Sequence, residues 1–238
     1  MDDAHIHAAL AKVKYEPMEH ISRSDWKPGR KRPEGYHAFI DGGFNQSIRL
    51  GSGAALLGSS SATILASNCS HSYEAETLGL LALLQLIESR SDELHEISIW
   101  TDSASLIRGM ERWGSQKLTE LQYTTVQTLA RVMSLDVHIT MRWIPSHKEA
   151  DFPNDWRITG NAKVDALATQ AMLNPVPDMN LPFSTTHIRQ LVKKAQKSKK
   201  NKETTSTTGP NHLQLSQEDK KEESQENSAV QSCGIGSG

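Results

Sequence analysis

The stretch YEAETLGLLALL, residues 73–84, is the most strongly patterned part of the 238-residue chain. Apolar side chains recur in it at helical spacing, and the pattern continues beyond it, which predicts a helix over residues 74–89. This helix is apolar nearly all round and is therefore expected at the centre of the fold. Its large apolar residues are Leu78, Leu80, Leu81, Leu83, Leu84, Leu86 and Ile87.

Glu76 lies on the apolar stripe of this helix, since steps of four, seven and eleven residues lead from it to leucines or isoleucine. Burying an unpaired carboxylate costs several kcal/mol, so Glu76 must be protonated, paired with a base or held by a cation. The predicted helix contains no Lys or Arg. Glu74 points away from Glu76, roughly 200° around the axis, and suits the positive end of the helix dipole.

The segments around this helix predict an α/β protein in the order βββαβααβα. Two of the three initial strands are joined by a serine-rich turn, which favours an antiparallel meander. The predicted strands cover 36–41, 53–57, 62–69, 97–102 and 137–143, and the later helices cover 106–113, 118–133 and a segment that begins after Gly160-Asn161 and ends at 171.

Three further acids fall where a site is expected. Asp41 ends the first strand, Asp102 ends the fourth, and Asp165 stands in the first turns of the last helix. The ends of adjacent strands in an open α/β sheet are favoured places for a site, so these side chains should converge with Glu76. Clusters of carboxylate oxygens suit Mg²⁺ or Mn²⁺, and two such ions stabilise both oxygens of an in-line phosphodiester displacement.

The segments FIDGG, YEAETLGLLALL, IWTDS, WIPSHKE and GNAKVDALA resemble the catalytic segments of the ribonuclease H family, in the family's order, over about residues 36–173. The resemblance implies a ribonuclease H-like α/β fold: a five-stranded mixed sheet, three strands antiparallel and then two parallel, with helices on both faces. It also implies metal-dependent endonucleolytic cleavage of the RNA strand of RNA·DNA hybrids.

The same resemblance implies a role for each acid and for one histidine. Asp41 would bridge two Mg²⁺ ions, for which Mn²⁺ could substitute, and Asp165 would join it on the ion that activates water. Glu76 and Asp102 would hold the ion at the leaving 3′ oxygen. His147, in the loop after the last strand, would aid proton transfer and product release.

Several positions are predicted to contact the nucleic acid. Ser72 and Tyr73 stand where cellular members of the family carry two asparagines that touch the minor groove, so this chain departs from the pattern there. Arg108 and Arg112 are one helical turn apart and either bind phosphate or form a solvated helix face. The glycine pair following Asp41 either forms a turn or permits close approach of a phosphate. The full set of predicted nucleic-acid contacts is Gly42, Gly43, Ser72, Tyr73, Ser103 and Asn161.

The basic protrusion of some family members is missing between Trp113 and Leu135, where only Lys117 and Arg131 are basic, so the lysine run at 193–202 or a partner domain would supply that charge. The loop from His147 to Gly160 is long, as in domains that resemble the ribonuclease H of reverse-transcribing retroelements. This loop suggests a retroelement-derived domain and makes a reverse transcriptase domain a candidate partner. Alternatives are a non-catalytic nucleic-acid-binding or connector module of a retroelement polyprotein, and, with a poorer fit, a transposase or exonuclease on the same scaffold.

The composition divides the chain into four parts: an N-terminal extension (1–34), the catalytic domain (35–174), a basic extension (175–202) and a disordered tail (203–238). Six lysines between 193 and 202 would suit a phosphate backbone or a targeting signal, whereas the net charge is only −2. No run of eighteen apolar residues and no signal-peptide stretch occur, so we expect an intracellular protein of the nucleus or cytoplasm, without membrane contact. We also expect a monomer. Cys69 and Cys233 are expected to be free thiols.

Overall fold

The structure is a computed structural model that describes residues 3–16, 32, 34–90, 94–174, 176–183, 188–189, 192–193 and 195–197. The chain divides into two compact units, Met1–Leu191 and Val192–Gly238. All elements named below lie in the first unit, and the described residues of the second are helical. Among the described residues, no helix is both long and apolar enough to traverse a lipid bilayer.

One mixed sheet with helices on both faces forms the fold, and the predicted fold class is confirmed. Strands β2, β3 and β4 pair antiparallel, β5 and β6 continue the sheet in parallel, and two-residue strands close both edges, in the order β1-β6-β5-β2-β3-β4-β7. The elements are α1 (Asp3–Lys12), β1 (Lys14–Tyr15), β2 (Tyr36–Asn45), β3 (Leu50–Leu57), β4 (Ser60–Ser67), α2 (Ser72–Glu88), β5 (Glu96–Thr101), α3 (Ala104–Trp113), α4 (Glu120–Ser134), β6 (His138–Trp143), α5 (Trp156–Ala171) and β7 (Met179–Asn180).

Two apolar layers sandwich the sheet. The larger layer contains α2, whose leucines are almost all buried, together with side chains from α1, α3 and α4. The smaller layer lies under α5 and includes Phe39, Trp100 and Val164. Because side chains of a strand alternate between faces, Ala38 and Ile40 of β2 enter the larger layer while Phe39 enters the smaller one.

The predicted turn at Gly42-Gly43 is wrong, because β2 continues through both glycines and pairs with β3 as far as Asn45. The absence of a side chain serves packing there instead. A Cβ atom on Gly42 would overlap the backbone of Ala75 and Glu76, so the glycine lets α2 lie directly on the strand. Gly53, paired with Gly42 on β3, meets the backbone of α2 in the same way.

The start of α5 was also predicted wrongly. The helix begins at Trp156, before the Gly160-Asn161 pair, and Asp155 caps it by accepting a hydrogen bond from the backbone N–H of Arg157. Gly160 is inside the helix because a Cβ atom there would overlap the ring of Phe39. Asp165 therefore stands in the third turn of α5 and not in its first turns.

The N-terminal residues contribute to the core, which the composition did not predict. Ile6, Leu10 and Val13 of the α1 region are buried in the larger apolar layer, and β1 pairs with the outer side of β6. Their spacing of four and three residues is the periodic signal that marks such a helix. Residues 203–238 and part of 175–202 lie outside the described residues, and the four-part division of the chain stays a prediction.

We expect Leu10→Ala to lower the free energy of unfolding by about 2–4 kcal/mol, because it removes buried apolar volume between α1 and the core. Lys12→Ala, on the exposed side of the same helix, should change it by less than about 0.5 kcal/mol. Urea denaturation of both variants provides the measurement. Equal, small changes would show that α1 does not support the fold.

Candidate active site

Asp41 and Asp102 meet where two neighbouring parallel strands stop pairing, although Asp41 lies inside β2 and not at its end as predicted. Strands β2 and β5 run parallel, and their last paired residues are Phe39 and Trp100. Asp41 and Asp102 each lie two residues beyond that pair, so they emerge at the same end of the sheet. Asp41 is only 7% exposed, and its Oδ1 accepts a hydrogen bond of 2.7 Å from the backbone N–H of Gly42.

Helix α2 brings the third acid to the same place. Its close contact with β2 at Gly42 puts the backbone of Glu76 beside the strand. One carboxylate oxygen each from Asp41, Glu76 and Asp102 lies within 4.8 Å of the others. Glu74 instead turns back to accept a 2.5 Å hydrogen bond from the backbone N–H of Ser70, as a first-turn acid should.

Asp165 reaches the cluster from the opposite face of the sheet. Helix α5 packs on β2 and β3, and the side chain of Asp165 forms a hydrogen bond with Asp41. It does not belong to the group of three oxygens within 4.8 Å. The structure therefore brings all four predicted acids together, three tightly and the fourth through Asp41.

Burial and mutual repulsion raise the pKa of the carboxyl groups of Asp41, Glu76 and Asp102. Burial, followed by the charge of Asp102, raises the pKa of Asp41 to about 7, although the N–H of Gly42 opposes the shift. Burial and the charges of Asp41, Asp102 and Asp165 raise the pKa of Glu76 well above its ordinary value. Burial also raises the pKa of Asp102, against the opposing effects of the Asn161 amide and His147.

Two buried oxygens of the site have no hydrogen-bond partner in the described part of the chain, Oε2 of Glu76 and Oδ1 of Asn161. The other end of the Asn161 amide donates a 3.3 Å hydrogen bond to Oδ2 of Asp102. Unsatisfied oxygens beside a carboxylate cluster are costly unless a cation binds them. The donor set consists of oxygens alone, so it fits a hard divalent cation such as Mg²⁺.

His147 stands at the edge of this cluster, in the loop between β6 and α5. It is exposed and has a left-handed backbone with φ of 53°. It is close enough to Asp102 for its charge to oppose the rise of the pKa of that carboxyl group. The structure thus places the predicted histidine beside the acids and open to solvent.

Most residues predicted to contact nucleic acid have structural partners. Ser103 caps α3 by accepting from the N–H of Leu106, and Tyr73 accepts a 2.9 Å hydrogen bond from Nε1 of Trp113. Gly43 faces the side chains of Met172 and Ser52. Of the six predicted contacts, Ser72 alone is exposed, while Gly42, Gly43 and Tyr73 are half-buried and Ser103 and Asn161 are buried. Contact of these residues with nucleic acid stays a prediction.

The prediction that Asn161 precedes the last helix is wrong, and Asp155, in the loop before that helix, does not belong to the group of three close carboxylates. Asn161 is inside α5, four residues before Asp165 and therefore on the same helix face, a spacing that could have linked it to the acids. Asp155 instead forms a buried ion pair with Arg157, whose guanidinium also stacks over Trp100. This pair anchors the start of α5.

Comparison with known proteins agrees with this geometry. A family model described as RNase H matches residues 33–173, more than half of the chain. The matched range contains the four acids, His147 and Asn161. No curated protein matches the sequence.

The raised pKa of Asp41 predicts an unusual pH dependence without divalent cations. Between its ordinary pKa of 3.8 and about 7, the folded chain holds this proton while the unfolded chain releases it. The contribution of Asp41 to stability is therefore largest below pH 3.8 and is lost as the pH rises through 7. Thermal unfolding in EDTA should show this loss, and Asp41→Asn should reduce it. An identical pH profile in the variant would contradict the shift.

Gly42→Ala should disrupt the site by pushing α2 away from β2. We expect a loss of about 2 kcal/mol or more in the free energy of unfolding, and a weaker stabilisation by Mg²⁺, because Glu76 moves with the helix. Gly43→Ala is the control on the same strand, since its Cβ would meet side chains only, the end of Met172 at 2.7 Å and Oγ of Ser52 at 2.8 Å, and would leave the contact of α2 with Gly42 in place. Thermal shifts with and without Mg²⁺ measure both effects. Equal behaviour of the two variants would contradict this role of Gly42.

Proposed function

The chain belongs to the ribonuclease H family, and we propose that it is an endonuclease that hydrolyses the RNA strand of RNA·DNA hybrids. The products would carry 5′-phosphate and 3′-hydroxyl ends. The observation that carries this proposal is the convergence of Asp41, Glu76 and Asp102 within 4.8 Å, at the end of the sheet.

These three residues and Asp165 would hold two divalent cations, Mg²⁺ or in its place Mn²⁺. Bound there, the cations would stabilise the attacking and leaving oxygens of a phosphodiester. Oε2 of Glu76 and Oδ1 of Asn161, both buried and lacking partners among the described residues, support this assignment. Each acid must lose its proton to act as a ligand, so the raised pKa of Asp41 ties activity to pH values near or above 7.

The remaining residues of the site orient the acids and move protons. The backbone N–H of Gly42 fixes Oδ1 of Asp41, and Asn161 fixes Oδ2 of Asp102. His147 is exposed beside Asp102, where an imidazole nitrogen would exchange a proton with the reacting phosphodiester or with water. Its place in a loop leaves it free to follow the product outward.

The setting of the enzyme is part of the proposal. We propose that it acts as a monomer inside the cell, in the nucleus or cytoplasm, alone or beside a reverse transcriptase domain. The link to retroelements rests on the length of the loop before α5. In the structure, the end of this loop supplies the cap and the buried ion pair with which α5 begins.

A second candidate is a module that binds nucleic acid without cleaving it. Tyr73 favours this function, because it stands where cellular members of the family have an asparagine that contacts the minor groove. Its hydroxyl group instead accepts a hydrogen bond from Nε1 of Trp113. The presence of all four acids disfavours it. Binding of a hybrid without cleavage, in Mg²⁺ and in Mn²⁺, would select this second function.

Asp41→Asn or Asp102→Asn should lower the cleavage rate by at least about 100-fold, because each removes a metal-binding oxygen charge. Without metal, either change should also raise the free energy of unfolding, because it removes one of several negative charges that repel each other in the site. For Asp41→Asn we expect an increase of about 1.4 kcal/mol or more. Labelled RNA·DNA, double-stranded RNA and double-stranded DNA, each with and without Mg²⁺, give the measurement.

Asp136→Asn, at an exposed turn, is the matched control and should cleave like the parent protein. Cleavage of the hybrid by both site variants at the parent rate would exclude this site. Metal-dependent cleavage of double-stranded RNA alone would retain the site and refute the proposed substrate.

A further inference from the structure

A depression on the α5 face of the sheet lies apart from the acidic cluster, and the proposed reaction does not use it. It has a volume of about 340 Å³ and lies between the first half of α5 and the strands β2 and β3. Such a volume falls in the range of small-ligand sites, about 300–1,000 Å³. Phe39, Leu56 and Trp156 form its apolar wall. We call it the α5 pocket.

The α5 pocket and the acids lie at different points along β2, because α5 runs beside this strand. At the start of α5, the ring of Trp156 packs on that of His37, with centroids 4.8 Å apart. Three turns of helix later, the side chain of Asp165 forms a hydrogen bond with Asp41. His37 lines the pocket and precedes Asp41 by four residues, roughly 13 Å along a strand. The wall of the pocket is therefore distinct from the acidic cluster.

Two cations line the α5 pocket, Arg32 and Lys163. Both are exposed, and neither forms an ion pair with a described acid. The guanidinium carbon of Arg32 lies 5.4 Å from the centroid of the Trp156 ring. Lys163 follows Trp156 by seven residues of α5, roughly 10 Å along the helix axis. Since no Asp or Glu of the described residues lines the pocket, an anionic ligand would meet positive charge at both ends.

Buried contacts fix the aromatic wall of the pocket. His37 is only 2% exposed, and its Nδ1 accepts a 3.2 Å hydrogen bond from Nε1 of Trp100. The ring of Trp100 packs edge-on against Trp156, with centroids 5.5 Å apart. Gly160 admits the ring of Phe39 to the wall, because a Cβ atom there would overlap it. A flat ligand would thus find a preformed apolar surface, which lowers the entropic cost of binding.

An apolar wall between two cations suits a nucleotide that belongs to a strand. Such a nucleotide carries a phosphodiester on each side of its base, whereas a free mononucleotide has one phosphate. Proteins hold single strands by stacking bases on aromatic side chains and by placing cations along the backbone. The bases of a duplex are stacked on one another and do not offer a free face to the wall. Because Arg32 is exposed, its guanidinium can turn from the Trp156 ring to a phosphate and leave that ring face to a base.

We propose that the α5 pocket binds one nucleotide of a single-stranded nucleic acid, with the base against Trp156 and the flanking phosphates at Arg32 and Lys163. This inference goes beyond the proposed function, because it requires neither the acids nor a bound cation. It gives the chain a hold on a single strand that is separate from the site of cleavage. The three residues hold the strand and take no part in bond cleavage.

The test measures binding of a short labelled oligouridine to the full chain by fluorescence anisotropy, in EDTA to prevent cleavage. Arg32→Gln/Lys163→Gln should weaken the affinity by about tenfold. It should also lower the slope of log affinity against log salt concentration by about 1.4, since each phosphate contact with a single strand contributes about 0.7. Trp156→Leu should weaken the affinity by about fivefold or more without changing the slope, because it removes stacking and no charge. Trp156→Phe keeps a ring and should retain most of the affinity.

Two further measurements separate this pocket from a general effect of charge. Lys12→Gln/Lys14→Gln removes an equal charge from exposed positions of α1 and β1, and should leave affinity and slope unchanged. The six lysines between 193 and 202 remain in every variant, so their contribution to binding is common to all. Irradiation of an oligonucleotide that contains 5-iodouridine should cross-link it to Trp156, as located by mass spectrometry. Thermal melting verifies that each variant is folded, and the glutamine pair and the cross-link test the inference even if Trp156→Leu does not fold.

Parent affinity and slope in Arg32→Gln/Lys163→Gln, or cross-links that do not include Trp156, would overturn the inference. Uridine 5′-monophosphate that binds as tightly as the oligouridine would contradict the assignment to a strand. Polyglutamate that binds as tightly, and loses as much affinity in the glutamine pair, would assign the pocket to an acidic peptide instead.

Discussion

Repulsion between buried carboxylates is the constraint on which the rest of this structure depends. Three carboxylate oxygens within 4.8 Å, with a fourth acid bonded to one of them, cannot all ionise at neutral pH without a compensating charge. The pKa values of Asp41 and Glu76 are raised, and buried oxygens of Glu76 and Asn161 have no hydrogen-bond partner among the described residues. Both observations have the same cause: the buried oxygens of the site lack a positively charged partner. A divalent cation would offset all of these effects at once, and this is the physical basis of the proposed hydrolysis of a phosphodiester.

Packing elsewhere in the fold offsets the free-energy cost of bringing the carboxylates together. Gly42 and Gly53 allow α2 to lie against the backbone of β2 and β3, and the leucines of α2 fill the larger apolar layer. On the other face, the buried Asp155–Arg157 pair anchors α5, which carries Asn161 and Asp165 to the same sheet end. Asp41, Glu76 and Asp165 thus lie in β2, α2 and α5, and Asp102 lies in the two-residue connection between β5 and α3. Of the predicted catalytic residues, only His147 lies in a long loop.

Much of this arrangement could be predicted from periodic patterns, and the failures have physical causes. Glu76 was informative because a charge on an apolar stripe has few physical explanations. Gly42 and Gly43 were misjudged because a glycine required for a close helix contact is indistinguishable, in one sequence, from a glycine required for a turn. The start of α5 was missed because its cap and ion pair sit in a polar segment. The partners of Tyr73 and Asn161 are tertiary contacts that local spacing does not encode, whereas the cap that Ser103 provides for α3 is a local contact that the sequence could have predicted.

Calorimetric titration with Mg²⁺ at pH 7, repeated in buffers of different ionisation enthalpy, tests the central claim most directly. The account predicts that Mg²⁺ binds and releases protons as it does so, because Asp41 is partly protonated near pH 7. Glu76→Gln should abolish most of that binding heat. Absence of Mg²⁺ binding, or equal binding without proton release in the parent protein and in Glu76→Gln, would contradict it.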